Sequence, residues 1–262
     1  MAHPTYPPRN LRPMGVAAAV GLAFALTAPG VANDPLRQLL ISRICIACDL
    51  SGVVLTRANL EDADLTNANL AGANLSQARL PRAQLTQADL SQATLQQTVL
   101  SGADLSGANL AGANLSQATL TGSQLRDVNA TNVNLERAEA RDSNWYGSDL
   151  SGSRLDGAVL NHASLSATDL TNTTLTNGQF FRADFIGAQL AGADFTGADL
   201  RQALMRDAQM AGANFTNADL RDANLRRTDL STAQFCNTRM ANGDINNEHC
   251  AELGLSPDRP AP

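Results

Sequence analysis

Four cysteines are the side chains in this sequence best equipped for chemistry. Cys45 and Cys48 form a CIAC pair, and Cys236 and Cys250 lie together far downstream. A Cys-x-x-Cys pair can run thiol–disulfide exchange, but redox pairs of that kind sit beside a βαβ unit, and the flanking sequence gives no sign of one. Zinc at CIAC would need two further ligands, and no His or Cys is close. Cys236, His249 and Cys250 could ligate a metal, yet they match no metal motif. The three histidines, His3, His162 and His249, are scattered, and no Gly-rich phosphate loop opens a helix. Carboxylates are abundant but periodic. Asp49, Asp89, Asp149, Asp169 and Asp229 recur in one phase, shared with Asn69, Asn109 and Asn129. Short polar side chains in such a rhythm bond local backbone, so they do not mark a catalytic pair. The expectation is a non-enzymatic protein with no catalytic residue, cofactor or bound metal.

Any such group would have to be positioned by a repeat. In ADLSGANLAGANLSQATL, residues 103–120, Leu returns at Leu105, Leu110, Leu115 and Leu120, and Ala two before each, at Ala103, Ala108, Ala113 and Ala118. A period of five fits neither a helix, at about 3.6 residues per turn, nor a strand, which alternates every ~2. The series holds one phase from Leu50 through Phe235 to Met240 and Ile245. Its large substitutes include Phe180, Phe185, Phe195, Phe215, Met205 and Met210, and the position two before stays small from Val53 to Gly243. A chain with 4% aromatics and many small polar residues would suit disorder, but a fixed apolar interval does not. A unit of five cannot bury its own Leu, so units must stack into a solenoid, and a repeat this short suggests a β-helix.

A longer period lies within the short one. The second residue after each centre, taken in steps of twenty, reads Gly52, Gly72, Gln92, Gly112, Asn132, Gly152, Asn172, Gly192, Gly212 and Thr232. Gly and Asn tolerate positive φ, which predicts a four-sided coil with a turn type of its own on one side. One coil departs from the pattern: Ala130 and Ala140 replace two Leu, and Trp145 replaces a third. Close packing predicts that Trp145 fills the space they leave. Phe195, Phe215 and Phe235 fall twenty apart and should stack.

Ahead of the repeat, Arg9 and Arg12 precede the apolar run GVAAAVGLAFALTA, residues 15–28, which is short for a membrane span of ~20 residues. Small residues follow to Ala32, so residues 1–32 read as a signal peptide, with a mature chain from near Asn33. Over 33–46, Asp34 reads as a helix N-cap and Pro35 as the first helical position. Leu36, Leu39, Leu40 and Ile44 would share one face of a short helix closing the first coil. The repeat occupies 47–245, and 246–262 reads as a C-terminal cap and tail.

The motif resembles A(D/N)LXX of the pentapeptide-repeat family, over about residues 48–245. The resemblance implies an all-β fold, a right-handed quadrilateral β-helix of about ten coils with four repeats per coil. The Leu-type and Ala-type positions would point inward. Ten coils at roughly 4.8 Å make a rod about 45–50 Å long. Its ends are too far apart for cysteines to pair across it, since a disulfide needs Cα atoms within about 7 Å. The expected pairs, if all four are oxidised, are Cys45–Cys48 and Cys236–Cys250, as export to an oxidising compartment would allow.

The resemblance also frames function. Some cytoplasmic members resemble B-DNA and bind topoisomerases. Here residues 47–245 carry 21 acidic against 14 basic residues, whereas ~45 Å of B-DNA carries about 26 charges. The favoured reading is an exported scaffold or protein-interaction module with an unknown protein partner, no nucleic acid and no stable membrane insertion after signal cleavage. The DNA mimic is the alternative. Similarity to exported cyanobacterial members implies the periplasm or the thylakoid lumen. Large apolar residues at outward positions, Tyr146 and Ile186 in one column with Phe181 and Leu204 close by, would form the partner patch.

Overall fold

The computed structural model describes residues 34–256, so the expected signal peptide lies outside the described residues. Each five-residue unit is a turn and a single extended rung. The Leu50 carbonyl accepts from the Val53 N–H at 3.2 Å, and Gly52 sits between them at φ +63°. That is a type II turn, which needs positive φ at its third residue. The chain bends at every unit and meets itself after four of them. The Leu50 N–H donates to the Asn69 carbonyl at 2.7 Å, and the Asn69 N–H to the Cys48 carbonyl at 2.8 Å. Parallel bridges joining residues twenty apart run from Ile44↔Asp64 to Asp219↔Arg239. Twenty residues make four sides of five. We number the sides by their centres: side one carries Leu50 and Leu70, side two Leu55 and Leu75, side three Leu60 and Leu80, side four Leu65 and Leu85.

The core is the stack of these centres with the small residue two before each. Leu60, Leu65, Leu110 and their neighbours are fully buried, as are Ala63, Ala68 and Ala103. Each buried Leu contributes about 1.5–3 kcal/mol before entropy is subtracted. Where Ser or Thr replaces the small Ala, its hydroxyl is buried and must find a partner. Thr98 Oγ1 donates to the Leu75 carbonyl at 2.8 Å, and Ser148 Oγ to the Leu125 carbonyl at 2.6 Å. Phe195 stacks on Phe215 at 5.2 Å and Phe215 on Phe235 at 5.8 Å, as the twenty-residue spacing predicts. Trp145 is fully buried, and its Nε1 donates to Ser143 Oγ at 2.8 Å.

Two expectations need correction. Side one has no turn type of its own. Positive φ recurs at the corners of all four sides, at residues as unlike glycine as Gln77, Arg82 and His162. Pairing with the next coil holds the turn wherever it falls, and Gly or Asn only relieves it. The exception lies within the column that seemed special: Thr232 leaves the left-handed region, and its Oγ1 takes the Gly212 N–H at 3.2 Å. A β-branched residue is poorly suited to positive φ. Around it, Leu225 and Leu230 are only partly buried.

The second correction concerns the N-terminal helix. α1 spans Pro35–Ser42, and Arg43 ends it at φ +58° with its N–H on the Leu39 carbonyl at 2.8 Å. Ile44 is therefore off the helix and already in the first bridge. Leu39 is buried, but Leu40 and Ile44 are about half exposed. At the other end, β1 (Thr238–Arg239) pairs antiparallel with β2 (Ile245–Asn246), so the last units fold back as a hairpin.

Candidate functional site

The outward positions do mostly structural work. Asp49 Oδ1 accepts the Ser51 N–H at 3.1 Å, and the same turn recurs at Asp89–Ser91, Asp149–Ser151 and Asp169–Thr171. Hydrogen bonds from the Ser51 side chain and backbone hold the Asp49 carboxyl below the ordinary carboxylate range. Other acids face arginines one coil away. Arg82 binds Glu61 and Asp62, and Arg227 binds Asp207. These bonds push Asp62 and Asp207 down as well. Burial alone would raise Asp219, yet Arg221 beside it keeps it low. On side two, Arg57, Gln77, Gln97 and Gln117 hand a hydrogen bond up successive coils at 2.7, 3.0 and 3.0 Å. No nucleophile stands beside a base in any of these contacts.

The four patch residues fall around side four. Phe181 is at the corner entering it, Ile186 at the corner leaving it in the same coil, and Leu204 in the middle of the side one coil on, bridged to Asp184. Tyr146 lies in the column of Ile186 but two coils back, about 10 Å away, with Ser166 between. Tyr146 is 44% and Leu204 40% exposed, while Phe181 and Ile186 are half-buried. Leu204 thus lies one coil on from Asp184, between the corners that carry Phe181 and Ile186, and Tyr146 lies two coils from Ile186 in its column. Arginines cover both aromatics: Arg182 and Arg201 lie 5.1 and 5.7 Å from the Phe181 ring, and Arg126 lies 5.3 Å from the Tyr146 ring. His162 meets the Phe181 edge at 5.6 Å. Cation–π contact of this kind leaves a surface both apolar and cationic.

The cysteines meet at the two ends. Cys45 joins Cys48 with Cα atoms 5.3 Å apart, and Cys236 joins Cys250 at 4.7 Å. His249 Nδ1 accepts the Phe235 N–H at 3.3 Å. Among the described residues, no group of three or more His, Cys, Asp or Glu is placed to hold a metal ion, and no helix is long and apolar enough to cross a membrane. Sequence reasoning missed exposed aliphatics at the start of the coil: Leu40 and Ile41 on α1, Ile44 and Ile46 on side four, and Val54 on side two. Ile46 and Val54 sit at positions that the repeat fills with polar residues on later coils, and that was the available signal.

Four rungs per turn, an inward Leu ladder and an outward polar shell define a quadrilateral β-helix. The family model for pentapeptide repeats matches at residues 48–87, 83–122, 108–144, 146–177, 183–222 and 213–247, and the chain belongs to the pentapeptide-repeat family. Members of this family are generally non-enzymatic structural or interaction modules. Among solved structures, the chain is similar to HetL, a protein involved in heterocyst differentiation regulation in the cyanobacterium Nostoc, at 28% identity over 80% of this chain and 97% of that one, TM-score 0.38. It is also similar to QnrB1, a plasmid-mediated fluoroquinolone resistance protein, at 20% identity over 81% and 97%, TM-score 0.41. A pentapeptide repeat protein of the Arabidopsis thaliana thylakoid lumen is 25% identical over 42% of this chain and 67% of that one, TM-score 0.21. No curated protein matches the chain.

Proposed function

We propose that this protein is an exported, non-enzymatic scaffold whose β-helix captures a protein partner on side four. The observation that carries the reading is Leu204, 40% exposed in a ladder position where Asp184 precedes it and Asn224 follows. A large aliphatic there does nothing for the turn, and Phe181 and Ile186 extend it around the coil. Arg182 and Arg201 against Phe181 suit a partner that offers carboxylates beside apolar side chains. The mature chain starts near Asn33, has about ten coils, and is closed by α1 at one end and by the β1–β2 hairpin at the other. Both cysteine pairs are disulfides in an oxidising compartment, the periplasm or the thylakoid lumen. The DNA-mimic alternative is disfavoured by how many outward acids are tied to arginines or turn N–H groups.

A photo-crosslinking residue placed at Leu204, and separately at Thr94 on side two, tests the reading in cells of the source organism. A defined adduct from 204 but not from 94, lost in a Tyr146→Ser/Ile186→Ser background that folds normally, is the expected result. Equal adducts from both positions, or an adduct indifferent to that background, would refute the patch.

A further inference from the structure

The end of the coil where the chain enters carries an apolar surface that the repeat does not explain. In α1, Leu39 turns inward and is fully buried, whereas Leu40 is 49% and Ile41 73% exposed. Arg37, Leu40 and Ile41 are three and four residues apart, so they share the helix face opposite Leu39. Ile44 and Ile46 flank the inward Cys45 on the first rung and are 50% and 52% exposed. Higher on side four, the equivalent positions hold Asp64, Thr66, Gln84, Thr86, Asp104 and Ser106. The same two columns carry aliphatics again only at Ile186 and Leu204, seven and eight coils on, so those of the terminal rung and its helix stand as a separate group.

Charge supplies the second observation. Arg37 and Arg43 are exposed at this end, and neither is within ion-pair distance of a carboxylate among the described residues. Glu61 and Asp62 bind Arg82, and Asp49 takes bonds from Ser51 and Asn69; Arg43 also donates from Nη1 to the Glu61 carbonyl at 3.0 Å, and its charge acts on Asp62. The surface is aliphatic at its centre and cationic at its border.

We propose that this end of the rod rests on an anionic lipid bilayer, with Leu40, Ile41, Ile44 and Ile46 in the interfacial layer and Arg37 and Arg43 on the headgroups. Shallow aliphatic burial joined to cationic contact is how interfacial helices bind, and an Arg stem can lie on apolar surface while its guanidinium stays at headgroup level. A plane suits the surface because it lies at the tip of a rod. The chain leading in favours a bilayer too. The apolar run 15–28 ends seven residues before Pro35, so a chain still held by that run keeps this tip within about 25 Å of the membrane. Removal of the leader leaves the surface in place. The proposal is independent of the partner patch on side four.

The natively produced protein is co-sedimented with vesicles of phosphatidylcholine alone and of phosphatidylcholine mixed with phosphatidylglycerol. Ile41→Ser/Ile46→Ser and Arg37→Gln/Arg43→Gln are run beside it, each first shown to unfold at the parent's midpoint. The parent should bind the mixed vesicles about tenfold more tightly than the neutral ones, and each variant should weaken that binding about tenfold. Failure to sediment with the mixed vesicles would overturn the proposal. So would equal binding by parent and both variants, which would place the contact in a retained leader. A lipid-independent dimer dissolved by Ile41→Ser/Ile46→Ser would reassign the surface to a second copy and overturn it likewise.

Discussion

Trp145→Ala should be among the most damaging single substitutions in the protein, and the reason can be tested by restoring volume elsewhere. Ala130 and Ala140 occupy centre positions where neighbouring coils have Leu, which removes ~6 side-chain carbons from one coil. Trp in place of Leu at 145 returns ~6 heavy atoms. The ring is fully buried, and its Nε1 donates to Ser143 Oγ, which itself donates to the Ala140 carbonyl at 2.6 Å. Truncating a buried Trp to Ala costs about 3–5 kcal/mol, and here the alanines cannot close the space. In the parent, Ala130→Leu/Ala140→Leu should overpack the core by about 1–3 kcal/mol. In a Trp145→Leu background the same pair should stabilise, because the triple variant rebuilds an ordinary coil. Urea unfolding followed by far-UV circular dichroism gives each midpoint, and the cycle isolates the coupling. A triple variant near the parent, with coupling of about 2 kcal/mol or more, is expected. Additive effects would refute the compensation and leave Trp145 as an unrelated occupant.

The remaining predictions concern other points of the fold. A Cβ on Gly178 would lie 2.5 and 2.8 Å from the Phe180 ring, so Gly178→Ala should destabilise by about 1–3 kcal/mol, and Phe180→Leu should relieve most of it in thermal melts. Opening the Cys236–Cys250 loop, fourteen residues in span, should lower the unfolding free energy by about 3 kcal/mol, read as a Cys236→Ser/Cys250→Ser difference in urea midpoint. Asp62, Asp207 and Asp219 sit below the ordinary value of 3.8 through their arginine partners. A depressed folded pKa stabilises fully above the unfolded value, so melting temperature should hold flat from pH 7 to pH 5 and decline as pH falls through and below 3.8. Replacing Asp207 with Asn should flatten that decline.

The body of the molecule was legible in the sequence because one side chain in five has nowhere else to go. Leu105, Leu110, Leu115 and Leu120 need partners, and the twenty-residue step in the Gly and Asn column already closed the coil at four sides. What misled was reading that column as a distinct turn. Glycine frequency measures how easily a residue adopts positive φ, whereas the Gln77 and Arg82 corners adopt it because bonds to the next coil leave no alternative. The N-terminal helix was legible as an element from Pro35 and the leucine spacing, but not in its limits. A helical face drawn through Leu40 and Ile44 assumes the helix continues, and Arg43 ends it first to let Ile44 start the rungs.

The partner patch and the lipid-facing tip were harder to read for a related reason. In a repeat, each outward residue is first judged by whether it suits its turn, and most pass: Asp49, Asp89 and Asp149 are acids because a turn N–H needs an acceptor. A functional residue is visible only where it fails that test, as Leu204, Phe181 and Ile41 do. Phe181 and Ile41 differ in what surrounds the failure. Phe181 lies mid-rod with two guanidiniums already on its ring, so a partner there must suit both. Ile41, 73% exposed, lies on α1 where the coil begins, so its exposure alone is also what an unfinished stack would show. Arg37 and Arg43 beside it, both exposed and neither within ion-pair distance of a carboxylate among the described residues, are what an unfinished stack would not require. For that reason Arg37→Gln/Arg43→Gln, rather than the isoleucine pair, separates a surface built for an anionic membrane from one that is merely bare.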